Sequence, residues 1–128
     1  MRRAPRVALL PALVAVVLSA AGCGTDDAGP SASAGPALDR GAQVYAEACA
    51  SCHGSDLRGT DKGPSHLSIV YEPNHHTDDS FRNAIANGAR QHHWSFGDME
   101  PVEGLSDTEV EAVIAFVRAE QLRQGFER

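Results

Sequence analysis

An all-α domain is what this sequence predicts, and three observations predict it. Apolar residues recur at helical spacing in three separate stretches, and nothing between them reads as a β-α-β unit. Aromatic residues make up only 5% of the 128-residue chain, so its own side chains give a thin core that a large apolar group must help to fill. Cys49-Ala50-Ser51-Cys52-His53 then supplies the means of holding such a group. C-x-x-C-H is the attachment pattern of c-type haem: two thiols become thioethers on the haem vinyls, and the adjoining imidazole ligates the iron. Two intervening residues set the sulfurs about one helical turn apart. A redox dithiol would open the helix of a β-α-β unit, which is lacking here. A zinc site would need a fourth ligand from histidines at no recognisable spacing.

The elements follow in chain order. Residues 1–6 carry Arg2, Arg3 and Arg6; residues 7–18 are apolar, interrupted by Pro11; residues 19–22 are small. This is a secretory signal, too short to span a membrane. Ala20-Ala21-Gly22-Cys23 is similar to the lipobox of bacterial lipoproteins, with Ala20 where Leu is commonest. The similarity implies lipidation of Cys23 and an exported protein anchored by lipid at the extracytoplasmic face of a membrane. The alternative is ordinary cleavage that leaves Cys23 as a free thiol. Removing residues 1–22 takes the net charge from −6 to −9. That balance argues against nucleic acid and favours either a partner with a basic docking surface or simple solubility. The linker 23–37 continues after Cys23 as Gly, Thr, Ser, Ala, Pro and Asp without apolar period, which predicts a flexible tether over 24–37 with a reach of roughly 20 Å.

The folded domain is expected over 38–128. A first helix over 38–50 takes Asp39 as its N-cap and places Val44, Tyr45, Ala48 and Cys49 on one face. Gly41 costs that helix stability, which is worthwhile where a second helix crosses closely. Residues 54–71 show no period of 2 or 3.6 and are punctuated by Gly59, Gly63 and Pro64. His75 and His76 lie in a polar loop and read as solvated. A second helix over 78–87, capped by Thr77 or Asp78, carries Phe81, Ala84 and Ile85 as its stripe and stops at Gly88. The loop 89–105 contains Met99, the one methionine besides Met1 and so the sole thioether available to an iron. His92 and His93 are its rivals for that role. Ser106 and Glu109 form a capping box for the last helix. Val110, Val113, Ile114 and Val117 give that helix an i, i+3, i+4, i+7 stripe, and Gly125 ends it.

Gly41-x-x-x-Tyr45-x-x-x-Cys49-x-x-Cys52-His53-Gly54, the Gly63-Pro64 loop, Met99 ahead of Pro101, and the Leu105-Ser106-x-x-Glu109 opening together resemble a class I, monohaem cytochrome c. The resemblance covers residues 38–124. It implies the small cytochrome c fold: three main helices around one covalent haem c, with Gly41 packing near Phe116. It implies axial ligation by His53 and Met99, and a Pro64 carbonyl that accepts a hydrogen bond from His53. It makes Leu67 a contact on the proximal face, Phe81 and Ile85 contacts along one haem edge, and Trp94 and Phe96 a wall. Pro101 stands one residue beyond the usual Met-Pro, and His66 is an extra residue before Leu67. The implied function is electron transfer, not catalysis, by a monomer between a redox donor and acceptor. The alternative is a haem sensor or binder of NO, CO or O₂ with an open or His-ligated sixth site. No role is assigned to His66, His75, His76, His92 or His93 beyond these.

Overall fold

The computed structural model describes residues 34–126, so the signal, Cys23 and most of the linker lie outside the described residues. Four α-helices follow in order: α1 (Ala34–Ala48), α2 (Ala50–His53), α3 (Asp78–Asn87) and α4 (Asp107–Arg123), with a 3₁₀ turn at Ile69–Tyr71. Among the described residues there is no strand, only an isolated antiparallel bridge between Ala89 and Met99. None of the described helices is long and apolar enough to cross a membrane.

Helix α1 begins four residues ahead of the expected start. Pro36 falls in its first turn, where the missing N–H has no intrahelical acceptor to lose. Asp39 is therefore inside the helix and is not its cap. The helix crosses α4 at Gly41. A Cβ built on Gly41 would lie 2.1 Å from the Ala112 carbonyl oxygen and 2.8 Å from Phe116 Cβ. Only a residue without a side chain lets the two backbones meet there. Tyr45, one turn on, packs against Phe116 with ring centroids 5.5 Å apart. Val44, Tyr45, Val113, Ile114 and Val117 form the centre of the core, joined by Phe81 and Ile85 from α3 and by Leu57.

The helix ends follow the expected chemistry. Thr77 Oγ1 accepts from the Ser80 N–H at the start of α3, and Gly88, at φ +74°, ends it. Ser106 and Glu109 complete a reciprocal capping box on α4.

Arg118 and Gln121, both on α4, tie the helices to the irregular segment. The Arg118 guanidinium donates to Asp78 Oδ1, the Tyr71 carbonyl and Gln121 Oε1, each at 2.7 Å, and to the His76 carbonyl. It also lies 4.8 Å from the Phe81 ring centroid, a cation–π contact. Gln121 is 1% exposed, and its Nε2 donates to the His66 carbonyl at 2.8 Å. Residues 66–77, whose own regular structure is the short 3₁₀ turn, are thus held in place by side chains of the last helix.

Candidate haem site

Helix α1 breaks at Cys49 and resumes as α2, and this break sets the attachment geometry. The Cys49 carbonyl accepts from the Cys52 N–H at 3.1 Å and from the His53 N–H at 3.0 Å. Both thiols and the imidazole therefore issue from one tight turn. Neither thiol is in a disulfide. Gly54, at φ +80°, ends the turn. Gly63 then lies against Cys52, where a Cβ would come within 3.0 Å of the Cys52 carbonyl oxygen. This close approach delivers Pro64 to His53.

His53 is buried, and its Nδ1 lies 2.9 Å from the Pro64 carbonyl oxygen. A carbonyl only accepts, so Nδ1 carries the proton and Nε2 keeps its lone pair for a metal. Burial lowers the His53 pKa, with the Pro64 hydrogen bond opposing it, so the ring is held neutral as a ligand must be. Burial, with Cys52 as neighbour, pushes the Cys49 thiol up to about 11.

Behind His53 stands a residue the sequence left without a role. His66 is buried and stacks on His53, with centroids 4.1 Å apart and an interplanar angle of 20°. Its Nδ1 lies 3.2 Å from the Tyr45 hydroxyl. Burial depresses its pKa well below the usual value, with His53 and Arg118 adding to the effect. Leu67, expected on this face, does not line the cavity; it packs on the edge of the core, and His66 lines the cavity instead. The physical reason is the extra residue. The turn at 65–68 aims the second residue after Pro64 inward, and that residue is His66.

Cys49, Cys52, His53 and Pro64 form one wall of a cavity of about 1260 Å³. Phe81, Ile85, Trp94 and Met99 belong to the same lining, as does Phe96. A volume above the roughly 300–1,000 Å³ of ordinary ligand sites suits a large flat group. Trp94 is held by stacking on Tyr71, with centroids 5.8 Å apart and planes at 16°.

Met99 is half-buried and pinned by its backbone. Its N–H donates to the Ala89 carbonyl at 2.8 Å, and its carbonyl accepts from the Ala89 N–H at 2.9 Å. The Val102 N–H donates to the Ile85 carbonyl at 2.8 Å, fastening the loop to α3. Gly88 allows this approach, since a Cβ there would sit 2.4 Å from the Met99 carbonyl oxygen. Pro101 packs against the same glycine. The residue between Met99 and Pro101 is thus accommodated, and the proline still braces the loop.

The comparisons with known proteins bear on this site. A family model, described as cytochrome c, matches residues 38–120, more than half of the chain. The chain belongs to the cytochrome c family. Neither the comparison with curated proteins nor that with solved structures returned a match. Members of the family bind covalently attached haem c and serve in haem-based electron transfer. The donor set found here fits that group: two unpaired thiols on one turn, an imidazole with its lone pair kept free, and a large, mostly apolar cavity beside them.

His75 and His76, expected to be solvated, and His92 and His93, the rivals of Met99, lie together. His75, His76 and His93 each offer a ring nitrogen within 4.8 Å of the others, and His92 stands beside them. All four line the rim of the haem cavity. Arg118 and Gln121 were also missed. Gln121 had a signal, because it continues the Val113–Val117 spacing by one more turn and so belongs to the buried face. Arg118 had none, since its acceptors outside α4 lie in one segment, at Tyr71, His76 and Asp78, far away along the chain.

Proposed function

We propose that the mature protein is a lipid-anchored, monomeric single-electron carrier with His53 and Met99 as its iron ligands. The observation that carries this reading is that both side chains line one cavity and each is independently fixed. His53 is held through Nδ1 by Pro64, and Met99 through its backbone by Ala89. A fixed ligand pair loses little entropy on binding and changes little between oxidation states. Bound haem supplies a reversible Fe(III)/Fe(II) couple. A His/Met pair raises its potential relative to two histidines. Cys49 and Cys52 hold the group by thioethers, and Phe81, Ile85 and Trp94 keep water from it.

The lipobox-like sequence ending at Cys23 supports an anchor at the extracytoplasmic face, with the linker letting the domain reach a redox donor and a redox acceptor. The acidic balance favours partners with basic docking surfaces.

The optical spectrum of the purified holoprotein tests the ligand assignment. A two-thioether pyridine haemochrome with the weak near-infrared sulfur-to-iron band is expected, and Met99→Ala is expected to lose that band and bind CO rapidly when reduced. A band absent from the wild-type protein overturns Met99 and transfers the sixth position to His92, His93 or an exogenous ligand. Cys23→Ala is expected to release the protein from membranes; retention would refute the lipid anchor.

A further inference from the structure

We propose that His75, His76 and His93, with His92 completing the set, form a binding site for one divalent d-block cation, with zinc the best fit, separate from the haem iron. Nothing in a single-electron carrier calls for four histidines at the cavity rim, and their arrangement has the features of a ligand shell.

The first feature is spacing. His75 Nε2 and His93 Nε2 are 3.2 Å apart, and His76 Nε2 and His92 Nε2 are 3.4 Å apart. Two imidazole nitrogens bound to zinc at about 2.05 Å in tetrahedral geometry lie about 3.3 Å apart. Neighbouring ligands of a square-planar ion at that bond length would lie about 2.9 Å apart, so the tetrahedral ion is the better match. The nitrogens of His75, His76 and His93 all fall within 4.8 Å of one another. Closing that to a tetrahedral edge requires rotation of the exposed His75 and His93 side chains, and His92, outside that trio, joins it through the Nε2 that faces His76.

The second feature is how two of the rings are oriented. His76 Nδ1 lies 2.7 Å from the Val70 carbonyl oxygen, and His92 Nδ1 lies 2.7 Å from the Arg90 carbonyl oxygen. Carbonyls only accept, so both Nδ1 atoms are protonated, and in the neutral rings that a metal requires both Nε2 atoms present lone pairs. Two such lone pairs that face each other at 3.4 Å repel unless a proton or a metal cation stands between them. A ring nitrogen donating to a backbone carbonyl while the other faces a shared point is the arrangement found behind metal-ligating histidines. The ligands come from two loops, residues 72–77 and 90–98, that flank α3. A bound ion would staple them across the cavity mouth, beside the Tyr71–Trp94 stack.

The test uses full-length, untagged holoprotein stripped with a chelator and titrated with zinc sulfate in a calorimeter. One zinc per chain is expected, at a dissociation constant on the order of 1 µM or tighter. The double variant His75→Ala/His93→Ala is expected to weaken binding about 100-fold or more while keeping its haemochrome. Saturating zinc is expected to raise the thermal midpoint of the wild type and not of the variant. Should the double variant fail to fold, His93→Asn alone replaces it, because Asn keeps the polarity and loses the imidazole. Copper(II) in place of zinc gives a second readout: an electron paramagnetic resonance spectrum with splitting from several imidazole nitrogens is expected. No saturable zinc binding by the wild type, equal affinity in wild type and variant, or a copper spectrum with oxygen ligands alone each overturns the site. Zinc is read by heat and thermal midpoint and the iron ligand by the near-infrared sulfur-to-iron band, so a failed zinc site with the band present is distinguished from a sixth position taken by His92 or His93.

Discussion

The α1–α4 crossing and the Met99 loop hold the two ends of the same site by different means. At the crossing, two helices meet backbone to backbone at Gly41, and Val44, Tyr45, Val113, Ile114 and Val117 are buried around the contact. The Met99 loop has no helix of its own and few buried apolar residues. Two backbone hydrogen bonds to Ala89 and one from Val102 to Ile85 locate it. The crossing carries Cys49, Cys52 and His53 on a frame that burial makes rigid. The loop carries Met99 on a short clamp of three backbone hydrogen bonds. Permanent attachment belongs on the first, and the proposed role of Met99 as an iron ligand places an exchangeable bond on the second.

The comparison breaks most directly at Gly41. Gly41→Val would drive a side chain into the Ala112 carbonyl, which has no flexible atom to move aside. A loss of more than ~3 kcal/mol is expected in denaturant unfolding, with poor recovery of holoprotein. A variant as stable as the parent would show that the helices do not need this contact.

Arg118 joins the two regions, and Arg118→Met comes next in size. The substitution keeps much of the stem, leaves the His76 carbonyl and Gln121 Oε1 without the guanidinium donor, and leaves the Tyr71 carbonyl with only the 3.3 Å bond from Gln121 Nε2. A loss of about 2–3 kcal/mol is expected, read by chemical denaturation. An unchanged midpoint would mean that water replaces the guanidinium without cost.

Hydrogen exchange sharpens the contrast without a mutation. The Met99 N–H is expected to exchange by local opening, roughly 100-fold faster than the Val113 N–H, which opens only with the frame. Equal protection would make the loop part of the same cooperative unit.

The smallest effect is electrostatic. The Ser106 backbone and side chain, with Arg40, hold the Glu109 carboxyl down at about 2. A lowered carboxyl contributes stability that is complete above its ordinary value near 4.5 and is lost as pH falls through about 2. Glu109→Gln can keep the capping geometry and is expected to flatten stability against pH within that window only. A profile identical to the wild type would show that the capping box is held by hydrogen bonding alone.

How far the site was legible depended on how local its causes were. Cys49, Cys52 and His53 are fixed by adjacency, because a turn of helix sets their separation whatever surrounds it. The stripe of α4, its capping box and the stop of α3 at Gly88 were legible for the same reason. Placing Leu67 at the proximal face failed because one extra residue in an irregular loop decides which side chain turns inward, and no periodicity records it. His66 won that position and stacks on His53. The N-cap at Asp39 failed because Pro36, which reads as a linker residue, is equally at home in a first helical turn.

The sequence by itself determined the haem-attachment turn, the helices that carry it and the supply of a single thioether, since each of these rests on residues a few positions apart. Only the tertiary structure decided that Met99 lines the same cavity as His53, that Arg118 and Gln121 hold the intervening segment, and that four histidines from two loops converge. Those relations depend on where α4 and α3 place distant segments in space, and distance along the chain carries no record of it.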